Sequence, residues 1–169
     1  SLSDKVLDRS NVLRFGKPIG SVTPKDNNAK QSGKSGYLPS ANWEKWIRPY
    51  DAHAPWMKDV LSWTSALNNA LEKIGRPFGY RVQEVIGTYV ANYPEVDNRS
   101  FKLAFADQVE QKIIPKLRGI DIMEQNSSTA LDNIAGVIDQ LGDNELSETF
   151  KTASQDKTTG LFIWPGVTR

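Results

Sequence analysis

The fold is decided by the stretch Pro55-Trp-Met-Lys-Asp-Val-Leu-Ser-Trp-Thr-Ser-Ala-Leu-Asn-Asn-Ala-Leu-Glu-Lys-Ile-Gly75. Its apolar residues recur every three or four positions, which places them on one face of an α-helix. Pro55 suits the first turn of a helix, where its missing N–H costs nothing, and Gly75 suits the position after the end. The stretch therefore predicts a helix whose apolar face is formed by Met57, Val60, Leu61, Leu67, Leu71 and Ile74.

Two more helices follow from the same spacing. A turn at residues 75–79 precedes a helix that ends before Pro94, and a third helix begins near Ser100. Pro115 is expected to kink or end the third helix because it removes a backbone donor. The apolar positions are Tyr80, Val82, Val85, Ile86, Tyr89 and Val90 in one helix and Phe101, Phe105, Val109 and Ile113 in the other.

The C-terminal third predicts a fourth helix, capped by Ser127 or Ser128 and stopped by Gly142. A shorter fifth helix starts within residues 147–150, and the apolar run 160–165 is predicted to dock on the core as an extended segment. We therefore expect a mainly α protein, a helical bundle with a short helix and strand remnant at its N-terminus.

A change of composition separates the two ends of this chain. Residues 17–40 are rich in Gly, Ser, Asn and Lys and nearly free of large apolar residues, which predicts a long flexible loop. After it, the aromatic residues Trp43, Trp46 and Trp56 are expected to anchor the chain by packing against the core.

The charges nearly balance, with 21 Lys and Arg against 20 Asp and Glu, so bulk charge does not favour a strongly cationic nucleic-acid binder. No apolar run approaches the roughly 18 residues of a membrane span, the N-terminus is not signal-like, and there is no cysteine. A cytoplasmic protein without disulfides or thiolate metal sites is expected.

Motifs for catalysis are weak. Gly33-Lys34-Ser35 resembles the end of a phosphate-binding loop, but Asn28 stands where that motif needs its first glycine. No apolar strand ends in paired acids to hold magnesium, and His53 is the single histidine, so no metal site is predicted. We expect no nucleotide hydrolysis by this chain alone.

Three blocks together resemble one family. They are Asp4-Lys-Val-Leu-Asp-Arg-Ser-Asn-Val-Leu-Arg-Phe15, Gly75-Arg-Pro-Phe-Gly-Tyr-Arg-Val-Gln-Glu-Val85 and Phe105-Ala-Asp-Gln-Val-Glu-Gln-Lys-Ile-Ile-Pro-Lys-Leu-Arg-Gly119. In order and spacing they are similar to K-V-L-D-R-A-N-x-I-E-F, G-R-P-F-G-Y-R-V-x-D/E-V and D-x-x-x-x-Q-K-I-L-P-R-L-x-G of the McrB-type branch of AAA+ proteins. The founding members of that branch are GTP-driven motors of modification-dependent restriction.

The resemblance implies a domain organisation. Residues 1–16 would end the ATPase core and residues 41–169 would form the helical lid, with the nucleotide-binding motifs expected upstream of Ser1. The full-length parent would then be an ATPase or GTPase that uses ATP or GTP with Mg²⁺, whereas the fragment itself holds no cofactor. Expected partners are the upstream core, neighbouring subunits of a ring, DNA and a McrC-like nuclease, with no membrane.

The resemblance also implies functional residues. Arg9 stands where the family places an arginine finger, and its alternative is a surface ion pair with Asp4 or Asp8. Arg81 resembles the sensor-2 arginine of the lid, which reads the terminal phosphate, and its alternative is a pair with Glu84 or Glu110. Arg76 is a substitute for Arg81, and Arg14 is a further candidate for the finger.

A different class of function stays open, a stand-alone helical module that binds DNA or protein. Lys25, Lys30 and Lys34 of the loop could contact phosphates without sequence preference, together with the aromatic stretch from Trp43 to Trp56. The alternative for the lysines is a solvated loop.

Overall fold

The computed structural model describes Val6, Ser10 and residues 39–48, 53–94 and 100–167. Within these ranges the protein is mainly helical and contains no strand, and Asp121 and Leu161 form an isolated antiparallel bridge. The predicted mainly α fold is confirmed. Its α-helices are α1 Ser40–Trp46, α2 Met57–Glu72, α3 Tyr80–Ala91, α4 Ser100–Gln108, α5 Gln125–Leu141 and α6 Asn144–Gln155.

Helix α2 lies at the centre of the bundle, as its long apolar face predicts. It packs most extensively against α5 and also contacts α3. Trp63 is stacked on Phe101 of α4, with ring centroids 5.8 Å apart, and is tilted against Phe105 at 5.4 Å. The Trp63 indole Nε1 donates to Gln140 Oε1 on α5 at 3.0 Å, so this buried ring joins three helices and leaves its polar atom satisfied.

Helix α4 does not end at Pro115 but changes its geometry first. A π-helix, Val109–Ile113, follows it, and a 3₁₀-helix, Ile114–Leu117, then carries Pro115 near its start. Proline fits there because its missing N–H belongs to a first turn. The α-helix itself ends earlier than predicted, at Gln108, and Pro115 lies in the 3₁₀-helix that ends the segment. The π-helix gave no sequence signal.

The ends of α5 and α6 correct two details of the sequence analysis. Glu124 is the cap of α5, accepting from the N–H groups of Asn126 at 3.0 Å and Ser127 at 2.7 Å. Ser127 and Ser128 were expected to cap this helix, but both lie inside it. Asp143 caps α6, which consequently begins before residues 147–150 and runs for 12 residues.

The C-terminal segment is extended and docks on the core, as predicted. Phe162 exchanges two backbone hydrogen bonds with the chain after the 3₁₀-helix, donating to Ile120 O at 2.9 Å and accepting from Gly119 N at 3.1 Å. Phe162 and Trp164 are buried, whereas Leu161, which precedes them, and Ile163, which lies between them, are exposed. This alternation is that of a strand lying on an apolar surface.

Helix α1 is the largest departure from expectation. Trp43 and Trp46 were predicted to anchor the chain by packing, yet they are 55% and 63% exposed, and α1 buries no residue. The attachment is polar instead, because Arg48 N donates to Asn92 Oδ1 at 2.6 Å and Asn92 Nδ2 donates to Arg48 O at 2.9 Å. Among the predicted anchors, Trp56 does lie against the core, stacked on Phe101.

Two further predictions concern the flexible loop and a membrane span. The flexible loop was assigned to residues 17–40, of which 17–38 lie outside the described residues, and α1 begins at Ser40. Across the described part of the chain, no helix combines the length and apolarity that crossing a membrane requires.

Candidate functional site

Two of the predicted arginines stand at either end of the turn between α2 and α3. Gly75 ends α2 with a positive φ of 69°. Its N–H donates to Glu72 O at 2.9 Å, and the N–H of Arg76 donates to Leu71 O at 2.9 Å. This pair of bonds is a Schellman motif, in which glycine supplies the left-handed conformation. The sequence Gly75-Arg76 thus fixes where the Arg76 side chain leaves the chain.

Arg76 is held within the fold. Its Nη1 donates to the backbone carbonyls of Lys116 at 2.6 Å and Arg118 at 2.9 Å. These carbonyls lie at the end of the 3₁₀-helix, where no further turn of helix follows to donate N–H groups to them. Arg76 therefore donates to carbonyls at a helix end and links the turn before α3 to the end of the 3₁₀-helix.

Arg81 has the opposite environment. It is exposed on the first turn of α3, next to Tyr80, which is 75% exposed. The alternative considered from sequence was an ion pair with Glu84 or Glu110, and no such pair is present between these described residues. Arg81 is exposed, and its side chain forms no hydrogen bond within the described part of the chain.

The amino end of α3 adds to this cationic character. Gly79 is its cap and offers no side chain to accept from the first N–H groups. Open N–H groups and the helix dipole give a helix amino end a partial positive charge. Arg81 beside them forms a surface suited to a phosphate or carboxylate, because an arginine fork binds such groups in a bidentate manner.

Five other predicted residues lie outside the described residues: Arg9, Arg14 and the loop lysines Lys25, Lys30 and Lys34. The residue after Arg9 is described, however. The backbone carbonyl of Ser10 accepts a hydrogen bond from Lys112 Nζ at 2.5 Å.

The sequence analysis assigned no role to Lys112 and Lys116, and both are 96% buried. Lysine is almost never buried to this extent unless it is paired, so these positions mark a structured polar contact inside the bundle. A sequence signal existed, since Gln111-Lys-Ile-Ile-Pro-Lys-Leu117 places both lysines in an apolar run that ends at a predicted helix boundary.

Elsewhere, the described residues offer little for catalysis. They contain no group of three or more His, Asp or Glu residues arranged to hold a metal ion. A shallow groove of about 200 Å³ lies between α5, α6 and the residues before α5, with Met123, Asp132, Lys151 and Lys157 among its lining. Neither Arg76 nor Arg81 lines this groove.

In the described ranges, three carboxylates have a lowered pKa, and each has a structural cause. Hydrogen bonds from the N–H groups of Asn126 and Ser127 lower the pKa of Glu124 at the start of α5. The Ser147 hydroxyl and then Lys151 lower the pKa of Asp139, which joins α5 to α6. Thr158 lowers the pKa of Asp156 at the end of α6. These shifts reflect helix capping and helix pairing rather than acid–base chemistry.

The geometry defines the class of this protein as a mainly helical bundle with a cationic helix end on its surface. Residues 37–157 match the family described as Domain of unknown function (DUF8727). That match covers more than two thirds of the chain, and the chain belongs to this family. No curated protein and no solved structure matches it. The Gly75–Val85 and Phe105–Gly119 blocks lie inside the family match, and the block from Asp4 to Phe15 precedes it.

Proposed function

We propose that this chain is the helical lid of a McrB-type AAA+ NTPase, with the last stretch of the ATPase core at its N-terminus. It couples the nucleotide state to conformational change and ring assembly and hydrolyses no nucleotide by itself. One observation carries the proposal: of the two arginines in the Gly75–Val85 block, Arg76 is bound to backbone carbonyls, and Arg81 is exposed with no acceptor among the described residues. Arg76 thus stabilises the fold, and Arg81 is accessible to a ligand.

Arg81 is the sensor-2 residue of this proposal. An arginine on the open amino end of α3 meets a terminal phosphate with both its fork and the adjacent N–H groups, and loses that contact when the phosphate leaves. Helices α2 to α6 share one apolar core, so a displacement of α3 by the bound phosphate moves the whole bundle as a rigid body. The phosphate contact is thereby converted into a lid rotation.

The remaining parts belong to the full-length protein. An upstream core holds ATP or GTP with Mg²⁺, and Arg9 reaches the nucleotide of the neighbouring subunit as an arginine finger. Neighbouring subunits of a ring are therefore required partners. DNA and a McrC-like nuclease are further partners if the motor acts in restriction.

The first test is the genomic reading frame upstream of the Ser1 codon. Continuation in frame into a phosphate-binding loop and a Mg²⁺-binding strand supports the proposal, and a stop codon there rejects it. The second test compares Arg81→Ala with Lys58→Ala in the full-length protein. Lys58 is the matched control because it is an exposed cation at the second position of α2, as Arg81 is of α3.

A second candidate function is a module that binds single-stranded nucleic acid or protein, and α1 favours it. Trp43 and Trp46 are exposed with ring centroids 6.5 Å apart, and in the chain Lys45 lies between them and Arg48 follows them. Exposed aromatic rings stack on bases at about 1–3 kcal/mol each, and cations bind the backbone. Salt-dependent binding of a fluorescent oligonucleotide by this chain, lost in Trp43→Ala/Trp46→Ala, would support this function over the lid.

A further inference from the structure

Helix α1 carries an aromatic surface that stays largely exposed in the described part of the chain. Trp43 and Trp46 lie three positions apart, so their rings are on one side of the helix, edge to face with centroids 6.5 Å apart. Both residues are more than half exposed, and α1 buries none of its residues. Apolar surface in water is unfavourable, and tryptophan is among the residues most enriched at the energetic centres of interfaces. The pair therefore has the properties of an anchor for a partner.

The groove between α5 and α6 has the size and the lining to receive an aromatic ring. Its volume is about 200 Å³. An apolar cavity of about 150 Å³ binds benzene, so this groove has room for the larger indole ring. Among its lining residues, Ile122 and Leu131 are buried and Met123 is mostly exposed. The thioether of a methionine contacts aromatic rings favourably and adapts to the shape of a partner, so Met123 suits a ring that enters here.

The charges beside the two surfaces are complementary. Glu44 and Lys45 lie between the two tryptophans in the sequence, and the helical repeat puts them on opposite flanks of the aromatic pair. The groove also has one charge of each sign on its two sides, because Asp132 lies on α5 and Lys157 follows the end of α6. One orientation of α1 across the groove brings Glu44 to Lys157 and Lys45 to Asp132. Phosphates would be repelled by both carboxylates, so this pattern favours a protein partner over a nucleic acid.

We infer that the α5–α6 groove binds the aromatic pair of α1 from a second copy of this chain. Within one copy, α1 is held at the end of α3 by the paired hydrogen bonds between Arg48 and Asn92. The aromatic pair and the groove are thus two different surfaces, and each copy offers both. Such a contact is heterologous and joins copies head to tail. The inference is independent of the nucleotide role of Arg81.

The area of this contact sets the strength of the association. Each tryptophan buries about 150–250 Å², so the pair and the groove together fall short of the roughly 1,200 Å² of a stable interface. We therefore expect a weak, reversible association that is populated at about 0.1 mM protein.

Sedimentation velocity of the 169-residue chain, from about 1 μM to about 1 mM, tests the aromatic side of the contact. The mean sedimentation coefficient of the parent chain should rise with concentration. Trp43→Ala/Trp46→Ala should weaken the association by about tenfold or more, because truncation of a tryptophan anchor has an effect of this size. Tyr80→Ala is the matched control and should associate like the parent, since Tyr80 is an exposed aromatic residue outside α1 and the groove.

Met123→Lys tests the groove side of the contact. It places a charge where the ring enters, so it should also weaken the association by about tenfold or more. Leu103→Lys is the control, because Leu103 is an exposed apolar residue on α4 that does not line the groove. All the replaced side chains are exposed, so circular dichroism should show that each variant unfolds at the temperature of the parent.

A mixture of the two interface variants tests whether the contact is head to tail. The Trp43→Ala/Trp46→Ala chain keeps an intact groove, and the Met123→Lys chain keeps an intact aromatic pair. An equimolar mixture should therefore form one-to-one complexes with the affinity of the parent contact and nothing larger. Each variant alone should stay monomeric at the same total concentration.

Three results would overturn the inference. The first is a parent chain that stays monomeric up to about 1 mM. The second is an association that is lost in Trp43→Ala/Trp46→Ala but kept in Met123→Lys, because the aromatic pair would then lie on another surface. The third is a monomeric parent that binds an oligonucleotide through Trp43 and Trp46, which would make nucleic acid the partner of α1. Loss in both variants with recovery in their mixture supports the inference.

Discussion

Arg76 Nη1 lies 2.6 Å from the carbonyl oxygen of Lys116, which joins the turn before α3 to the end of the 3₁₀-helix. The sequence analysis gave Arg76 the role of a substitute for Arg81 at the phosphate. In the structure, the two arginines have separate environments, one bound to the backbone and one in solvent. This separation makes the two residues testable against each other.

Arg76→Ala is expected to destabilise the protein by about 1–3 kcal/mol, because two carbonyls at a helix end lose a charged donor. Urea denaturation of the 169-residue chain measures this directly. Arg81→Ala is the control on the same turn and should change the free energy of unfolding by less than about 0.5 kcal/mol. Equal effects of the two substitutions would contradict the structural role of Arg76.

Arg81→Ala in the full-length protein is expected to lower nucleotide turnover by about tenfold or more, since a donor to the phosphate is lost. Arg81→Lys should recover only part of the rate, because lysine keeps the charge but not the bidentate fork. Steady-state hydrolysis assays give both values. Normal turnover in Arg81→Ala, with Lys58→Ala also normal, would remove Arg81 from the site.

Phe162→Ala is expected to cost about 3–5 kcal/mol, because Phe162 is fully buried against Phe150 at a centroid distance of 5.5 Å. Its neighbour Ile163 is 53% exposed on the opposite face of the same segment. Ile163→Ala should therefore cost less than about 0.5 kcal/mol. Thermal unfolding followed by circular dichroism distinguishes the two, and a small loss in Phe162→Ala would show that the C-terminal segment is not docked in solution.

Asp139 gives a prediction for pH. Its Oδ1 accepts from the Ser147 hydroxyl and lies 2.9 Å from Lys151 Nζ, and these contacts lower its pKa below the ordinary 3.8. A carboxyl with a lowered folded-state pKa stabilises the protein above its unfolded pKa, and this stability is lost as the pH falls through the folded value. Asp139 is half exposed, so the effect is modest, about 0.5–1 kcal/mol at pH 7.

Asp139→Asn should therefore be less stable than the parent at pH 7, and the difference should shrink once the pH falls below about 4. Urea denaturation at pH 7 and pH 3 measures it. Asp132→Asn serves as the control, since Asp132 is exposed on the same helix and forms no hydrogen bond or ion pair within the described part of the chain. A difference that stays constant down to pH 3 would assign the effect to packing rather than to ionisation.

The helices were predictable where apolar spacing and a stop residue agreed. Helix α2 follows Pro55 and ends before Gly75, and α5 ends at Gly142 with its positive φ of 74°, because glycine alone adopts that conformation without strain. The caps were less predictable. Serine is preferred over glutamate as the N-terminal cap of a helix, yet the Glu124 carboxylate is the cap here. It accepts from two N–H groups, and Ser127 lies inside the helix.

The exposed Trp43 and Trp46 show why aromatic content does not predict burial. Burial depends on an apolar surface on which the ring can lie, and α1 is joined to the bundle by the backbone of Arg48 and the side chain of Asn92. At the candidate site, the sequence indicated both arginines but could not say which one is used by the fold. That answer required the carbonyls of Lys116 and Arg118, which lie forty residues away in the chain.

The π-helix Val109–Ile113 has a consequence for comparing sequences. A π-turn holds one residue more than an α-turn, so its side chains are displaced around the helix axis relative to those before it. A relative in which α4 continues as a plain α-helix in place of the π-helix would be one residue shorter between Gln108 and Ile114. Its lysine would then align with Lys112 only across a gap, and an ungapped alignment would match it with a residue on another face.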